Sequence, residues 1–249
     1  MLLDYSYRTD VGLVRRHNED AVKILKNPDY LLMMIADGMG GHTSGDVAAN
    51  LAIEHIEKTF ENGLNLPTKE VAATWLSDAL KAINEKILAY AAKNKVRKMG
   101  TTMVITVVTN NYITIANIGD SRAYILANNH LRQITKDHTF VRELVEKGQI
   151  SERAAKLHPQ KNVINRALGA SKKLQTDIVT VEHYDIDGLL LCTDGLTGLV
   201  EDLEIFKTLS KTTSAEAKMT ELIESANARG GRDNISVAWA QFETEEVGT

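Results

Sequence analysis

The sequence predicts an α+β fold built mainly on antiparallel sheets, and three observations carry that reading. Strand-like and helix-like segments arrive in blocks instead of strict alternation, which disfavours a doubly wound parallel sheet. Residues 101–135 are dense in Val, Ile and Thr and are broken by the pairs Asn110-Asn111, Gly119-Asp120 and Asn128-Asn129, the texture of an antiparallel meander. Two helix pairs, one on each side of that block, have the length to cover two sheet faces.

In chain order, strands are predicted at residues 3–8, 21–25 and 30–36. After Ser44, the apolar residues Val47, Leu51, Ile53, Ile56 and Phe60 stand among charges at helical spacing. Thr68 is placed to cap a longer helix carrying Val71, Trp75, Leu76, Leu80, Ile83 and Ile87. The meander follows, with strands at 101–109, 112–118, 121–127 and 130–135. Short helical patterns occupy 139–168, where Gly148 reads as a C-terminal cap and Pro159 as a breaker. Strands return at 174–182 and 188–193, helices near 201–210 and 214–229, and a last strand at 235–240. Residues 243–249 are acidic and aperiodic and read as a frayed tail.

The length of 249 residues, with no linker composition and no internal repeat, fits one continuous domain over 1–249. Apolar residues make up 43 % and charged residues 25 %, which excludes disorder and collagen-like repeats. A net charge of −4 without a basic stripe argues against a nucleic-acid partner. The one cysteine, Cys192, forms no internal disulfide and sits in the apolar run 189–192, so it reads as a core residue and not as a catalytic thiol. No signal-peptide pattern and no membrane-length apolar stretch is visible, so a cytoplasmic protein is expected. No heptad or long apolar edge calls for a partner copy, and a monomer is the default.

Function is announced by where the aspartates fall. Asp37 ends the apolar run 31–36, Asp120 follows 113–119, and Asp194 follows 189–193. Asp233 precedes the strand at 235–240, and Asp20 closes the polar string His17-Asn18-Glu19. A single acid beside a glycine is ordinarily a turn. Five at strand ends repel one another unless a cation sits among them, and oxygen-only ligands suit Mg²⁺ or Mn²⁺ better than Zn²⁺. Gly38, without a Cβ, lets its backbone carbonyl turn toward the same ion. Two such ions would activate a water for in-line attack on phosphorus. Arg15, five residues before Asp20, is the candidate to grip phosphate oxygens.

The series Arg15…Asn18-Glu19-Asp20, Ala36-Asp37-Gly38-Met39-Gly40-Gly41, Gly100-Thr101-Thr102, Asn117-Ile118-Gly119-Asp120-Ser121-Arg122, Asp137-His138, Arg166-Ala167-Leu168-Gly169, Thr193-Asp194-Gly195 and Gly231-Arg232-Asp233-Asn234 resembles the type 2C metal-dependent protein phosphatases, the compact bacterial members above all. The resemblance spans residues 5–240 and implies a β-sandwich of two antiparallel sheets flanked by helix pairs, α-β-β-α. It further implies that Asp37 bridges two Mn²⁺ or Mg²⁺ ions, that Gly38 gives its carbonyl to one, and that Asp194 and Asp233 complete the other. Glu19 and Asp20 would hold the ions' waters, Arg15 would bind the substrate phosphate, and a third ion would fall to Asp120 with Asp194. Residues 139–167 would be a flap beside the site. The substrates implied are phosphoserine and phosphothreonine proteins, products of a serine/threonine kinase.

Met39 stands where some members carry a histidine proposed as general acid, and His42 is the substitute considered. His138 is expected to be structural, orienting the start of the flap. A haloacid-dehalogenase-type reading of Ala36-Asp37-Gly38 fails because its second acid would fall at Met39, and a non-catalytic phosphoprotein-binding module would not need Asp37, Asp194 and Asp233 together.

Overall fold

The apolar run Leu31–Ala36 lacks the alternation of a half-exposed strand because both of its faces are buried. The computed structural model describes residues 2–40 and 44–243. Along the chain the elements are β1 (Leu2–Asp10), β2 (Asp20–Lys26), β3 (Leu31–Gly40), α1 (Ser44–Glu61) and α2 (Lys69–Asn94). Then come β4 (Met99–Thr101), β5 (Met103–Val108), β6 (Tyr112–Ile118), β7 (Arg122–Ala127) and β8 (His130–Gln133). The second half holds α3 (Phe140–Glu146), α4 (Glu152–Leu157), β9 (Asp177–Glu182) and β10 (Gly188–Cys192). It closes with α5 (Asp194–Thr197), α6 (Asp202–Leu209), α7 (Ala215–Ala228) and β11 (Ile235–Phe242).

Two antiparallel sheets form, in the orders β1-β11-β10-β7-β8 and β2-β3-β5-β6-β9, with β4 paired to the far end of β3. Alternation along β3 separates the layers. Leu32, Met34 and Ala36 pack against α1 and α2 through Ala52, Ile56, Leu80 and Ile83. Met33 and Ile35 point the other way and meet Ile125, Leu189, Leu191 and Ala238 of the opposite sheet. That sheet's outer face, with Tyr124, Leu190 and Trp239, is covered by Leu196, Ile205, Met219 and Leu222 of α5–α7. The order of layers is α-β-β-α. At roughly 1.5–3 kcal/mol per fully buried large side chain, these three clusters are the main favourable contribution to folding.

Helix starts follow the cap residues. Thr68 accepts from the Val71 N–H, Thr139 from Arg142, Ser151 from Ala154 and Ser214 from Ala217. Gly148 stands just past α3 at φ +68°, the left-handed conformation expected of it.

Two departures bear on function. The expected strand 101–109 is split at Thr102, whose backbone N–H turns to the Asp37 carbonyl at 2.9 Å and leaves β4 and β5 as separate pieces. The expected meander is also not one sheet. Asn128 and Asn129, at φ 50° and 59°, do make the hairpin between β7 and β8. Gly119-Asp120 does not: β6 lies in one sheet and β7 in the other, and Gly119, at φ +103°, turns the chain across the gap between them. Nothing but glycine suits the place, because a Cβ there would lie 2.5 Å from the Thr102 side chain. Of the tail expected at 243–249, residues 244–249 lie outside the described residues.

Candidate metal and phosphate site

The strand ends that carry the aspartates converge at one end of the sandwich. In the β2–β3 register Asp20 stands directly opposite Asp37. The crossing at Gly119 delivers Asp120, the end of β10 delivers Asp194 as the first residue of α5, and the residue pair before β11 delivers Asp233. Charges on Asp20, Asp194, Asp120 and Asp233 all act on the Asp37 carboxyl. Residues scattered over more than two hundred positions thus form one ring.

Electrostatics in the ring is one-sided. Burial first, and mutual repulsion second, push the Asp37 carboxyl well above the usual carboxylate range and raise Asp194 as well. By the same causes Asp20 is pushed up to about 7, against hydrogen bonding that pulls it down, and Asp120 to about 8. Glu19 is raised by burial and by the neighbouring Asp46.

Arg15 is a cation at this ring, its Nη2 2.8 Å from Asp233 Oδ2, and the charge of Arg122 also acts on Asp120 and Asp194. Burial works against its charge, but Asp233, Asp37 and Glu19 hold its pKa above the ordinary value. Its loop is tied down by Leu13 and Val14 N–H groups donating to the Gly231 carbonyl.

Three carboxylate oxygens, Oδ1 of Asp20, Asp120 and Asp194, are buried without any hydrogen-bond partner among the described residues. Buried acceptors left this way are costly unless something electropositive meets them. Gly38 is wedged so tightly that a Cβ would lie 2.2 Å from the Gly45 carbonyl oxygen and 2.5 Å from that of Glu19. The donor set is oxygen throughout, which fits a hard divalent ion. Among the described residues no three carboxylate, imidazole or thiol groups close around one point as they stand. An ion here would need part of its shell from backbone oxygen and water, as Mg²⁺ habitually does.

Several supporting residues carry no signal in the sequence on their own. Thr193 Oγ1 donates to Asp20 Oδ2 at 2.9 Å and accepts from the Ser236 N–H. Asn234 accepts from the Glu19 N–H and donates to the carbonyls of Val11 and His17, joining the Arg15 loop to β2. Thr102 Oγ1 accepts from the Asp37 N–H and hydrogen-bonds Ser121 Oγ at 2.7 Å. Their only sequence trace is adjacency to the motif aspartates and glycines.

Beside the ring a groove of about 950 Å³ opens from Asp120 and Asp194 between α3–α4 and α5–α6, with Arg142, Lys156 and Lys161 on the α3–α4 side. His138 is buried at the root of that segment, and its Nδ1 accepts from the Gly119 N–H. Cys192 is fully buried and its thiol is pushed up to about 12 by burial, so it is no nucleophile. Met39 has no proton to donate, and His42 lies outside the described residues.

Residues 14–237 match the family model described as protein phosphatase 2C. The chain is 41 % identical over 233 residues to the serine/threonine phosphatase stp of Listeria welshimeri, covering 93 % of this chain and 92 % of the relative. Among solved structures it is similar to the serine/threonine phosphatase Stp1 from Staphylococcus aureus, with TM-score 0.91 and 38 % identity over 98 % of this chain and 96 % of that one. The serine/threonine phosphatase PstP/Ppp of Mycobacterium tuberculosis matches with TM-score 0.88 and 36 % identity, covering 98 % of this chain and all of that chain (100 %).

Proposed function

This chain belongs to the protein phosphatase 2C family and acts as a metal-dependent serine/threonine protein phosphatase, and we propose that the carboxylate ring at the sandwich end is where it does so. In this reading Asp37, the Gly38 carbonyl, Asp194 and Asp233 would hold two Mn²⁺ or Mg²⁺ ions. Asp120 with Asp194 would hold a third. Bound there, the ions supply Lewis acidity and lower the pKa of a water for attack on phosphorus. Glu19 and Asp20 accept hydrogen bonds from the surrounding waters. Arg15, paired with Asp233 at 2.8 Å, would grip two oxygens of the substrate phosphate, a bidentate contact that orients it. The chain works as one catalytic domain and a monomer, with residues 139–167 as a flap, on phosphoproteins made by a cytoplasmic serine/threonine kinase. No helix among the described residues is long and apolar enough to cross a membrane.

A single observation carries the assignment: five aspartates converge at one end of the sandwich, and buried oxygens of three of them lack any partner among the described residues. The test is turnover of phosphoserine, phosphothreonine and phosphotyrosine peptides by chelator-treated protein before and after Mn²⁺ or Mg²⁺ is returned. Activity on the first two should vanish and recover. Asp37→Asn, Asp194→Ala and Asp233→Ala should each abolish it in a folded chain. Full turnover after complete metal removal would refute the proposal.

A further inference from the structure

The root of the α3–α4 segment makes a contact that the proposed chemistry leaves unexplained. His138 is 5 % exposed and joins that segment to the crossing between the sheets. Its backbone alone fastens the segment: the His138 N–H donates to the Gly119 carbonyl at 2.9 Å, and its carbonyl accepts from the Asn165 N–H at 2.9 Å. Any residue would supply those two bonds. The imidazole does something separate.

Its Nδ1 accepts from the Gly119 N–H at 3.1 Å, so Nδ1 is unprotonated and Nε2 carries the ring hydrogen. Nε2 lies 3.4 Å from Oδ2 of Asp177, the first residue of β9. Arg166 approaches the same nitrogen at 3.4 Å, but a guanidinium only donates, and its acceptor is Asp177 Oδ1 at 3.3 Å. The carboxylate of Asp177 therefore faces the protonated nitrogen of a neutral imidazole and favours that tautomer.

The other end of this chain is the ring itself. With both polar groups of Gly119 held by His138, and Ser121 held through its hydroxyl to Thr102, the residue between them, Asp120, is fixed from both sides. Thr102 is also the residue that receives the Asp37 N–H. Asp120 Oδ1 is one of the three buried oxygens without a partner.

We propose that His138, oriented by Asp177, is a positioning residue for the hydrolytic site: its imidazole clamps Gly119 and so aims the Asp120 carboxylate at the third ion. This rests on the metal assignment above. Outer partners of this kind set the orientation of a ligand without touching the ion, and losing one characteristically costs about ten- to a hundredfold in metal affinity.

Asparagine and glutamine divide the imidazole's two jobs. In His138→Asn the side-chain oxygen lies near the place of Nδ1 and still accepts from Gly119. In His138→Gln the amide lies near the place of Nε2, keeping Asp177 and losing Gly119. Each full-length variant, with Asp177→Ala and Asp120→Ala beside it, is stripped with chelator and titrated calorimetrically with Mn²⁺ alone. Peptide turnover is then followed against Mn²⁺ concentration. His138→Gln should weaken the loosest Mn²⁺ about tenfold or more, leave the two tighter ions alone, and lower kcat at limiting Mn²⁺ with KM for the peptide unchanged. Asp177→Ala should show the same pattern more weakly, and His138→Asn should recover most of the loss.

A folded His138→Gln with unchanged Mn²⁺ binding, beside a crippled Asp120→Ala, would overturn the positioning role alone. An Asp120→Ala protein with normal turnover and no lost ion would overturn the third-ion assignment and the positioning role with it. Equal damage in His138→Asn and His138→Gln would reduce His138 to packing.

Discussion

The carboxylate ring makes the metal-stripped protein weaker as the solution becomes more alkaline, and the size of that effect follows from the site. A carboxyl whose pKa is higher in the folded chain than in the unfolded one holds its proton more tightly when folded, so protonation favours folding. Its contribution is complete below the unfolded value and is lost as pH rises through the folded value. Asp20 is pushed up to about 7 and Asp120 to about 8, both chiefly by burial, from an ordinary 3.8. At roughly 1.4 kcal/mol per pH unit, Asp20 gives up about 2 kcal/mol between pH 5.5 and 8.5 and Asp120 about 3. The groups repel one another, so the sum of about 5 kcal/mol is an upper bound for this pair, and Asp37 and Asp194, raised by the same causes, act in the same direction.

For a chain of this size each kcal/mol moves the midpoint by roughly 2–4 °C, so the stripped protein should lose about 10 °C over that interval. The assay is thermal unfolding by circular dichroism across the pH series, in chelator and again in saturating Mn²⁺. In the proposed site divalent ions would bind the ionised ring, so added metal should abolish or reverse the slope. Asp20→Asn should reduce the stripped protein's loss over that interval by about 2 kcal/mol. A midpoint unchanged from pH 5.5 to 8.5 in chelator, or an identical fall with Mn²⁺ present, would refute the reasoning.

Three further outcomes follow from single positions. Arg15→Ala should raise KM for a phosphopeptide about ten- to a hundredfold with a smaller loss in kcat, since a charge-assisted phosphate contact contributes roughly 1.5–3 kcal/mol in ground and transition state alike; steady-state constants equal to wild type would return Arg15 to the surface. Gly38→Ala puts a Cβ 2.2 Å from the Gly45 carbonyl oxygen, so it should cost about 1–3 kcal/mol in thermal unfolding and depress kcat together, by shifting the start of α1 against Glu19. Cys192→Ser buries a hydroxyl among apolar neighbours and should cost about 1–3 kcal/mol while leaving metal-dependent turnover intact; a folded, metal-loaded and inactive Cys192→Ser would demand a thiol mechanism.

The metal-ligand candidates were legible and their supports were not, for a physical reason. An aspartate at the end of an apolar run advertises itself locally, because the run and the turn residue beside it are contiguous in sequence; Asp37, Asp120 and Asp194 stand that way, and Asp233 stands just before such a run. Helix starts at Thr68 and Thr139 are local in the same sense, since a cap bonds a backbone group three residues on. Sheet membership is not local. The Val/Ile/Thr texture of residues 101–135 is the same whether successive strands pair or part, and so Gly119-Asp120 reads as a hairpin turn although β6 and β7 belong to different sheets.

That difference is also what makes Asp120 useful. A hairpin would have left its carboxylate at a solvent-facing turn, whereas the crossing buries it at the mouth between the sheets beside Asp37 and Asp194. The residues that hold the crossing and the ring, Thr102, His138, Thr193 and Asn234, act on partners 19 to 217 positions away in the chain. No window short enough to show periodicity contains both members of such a pair. The aspartates of this site are therefore written in single segments of sequence, and the residues that hold them in place only in the pairing of segments.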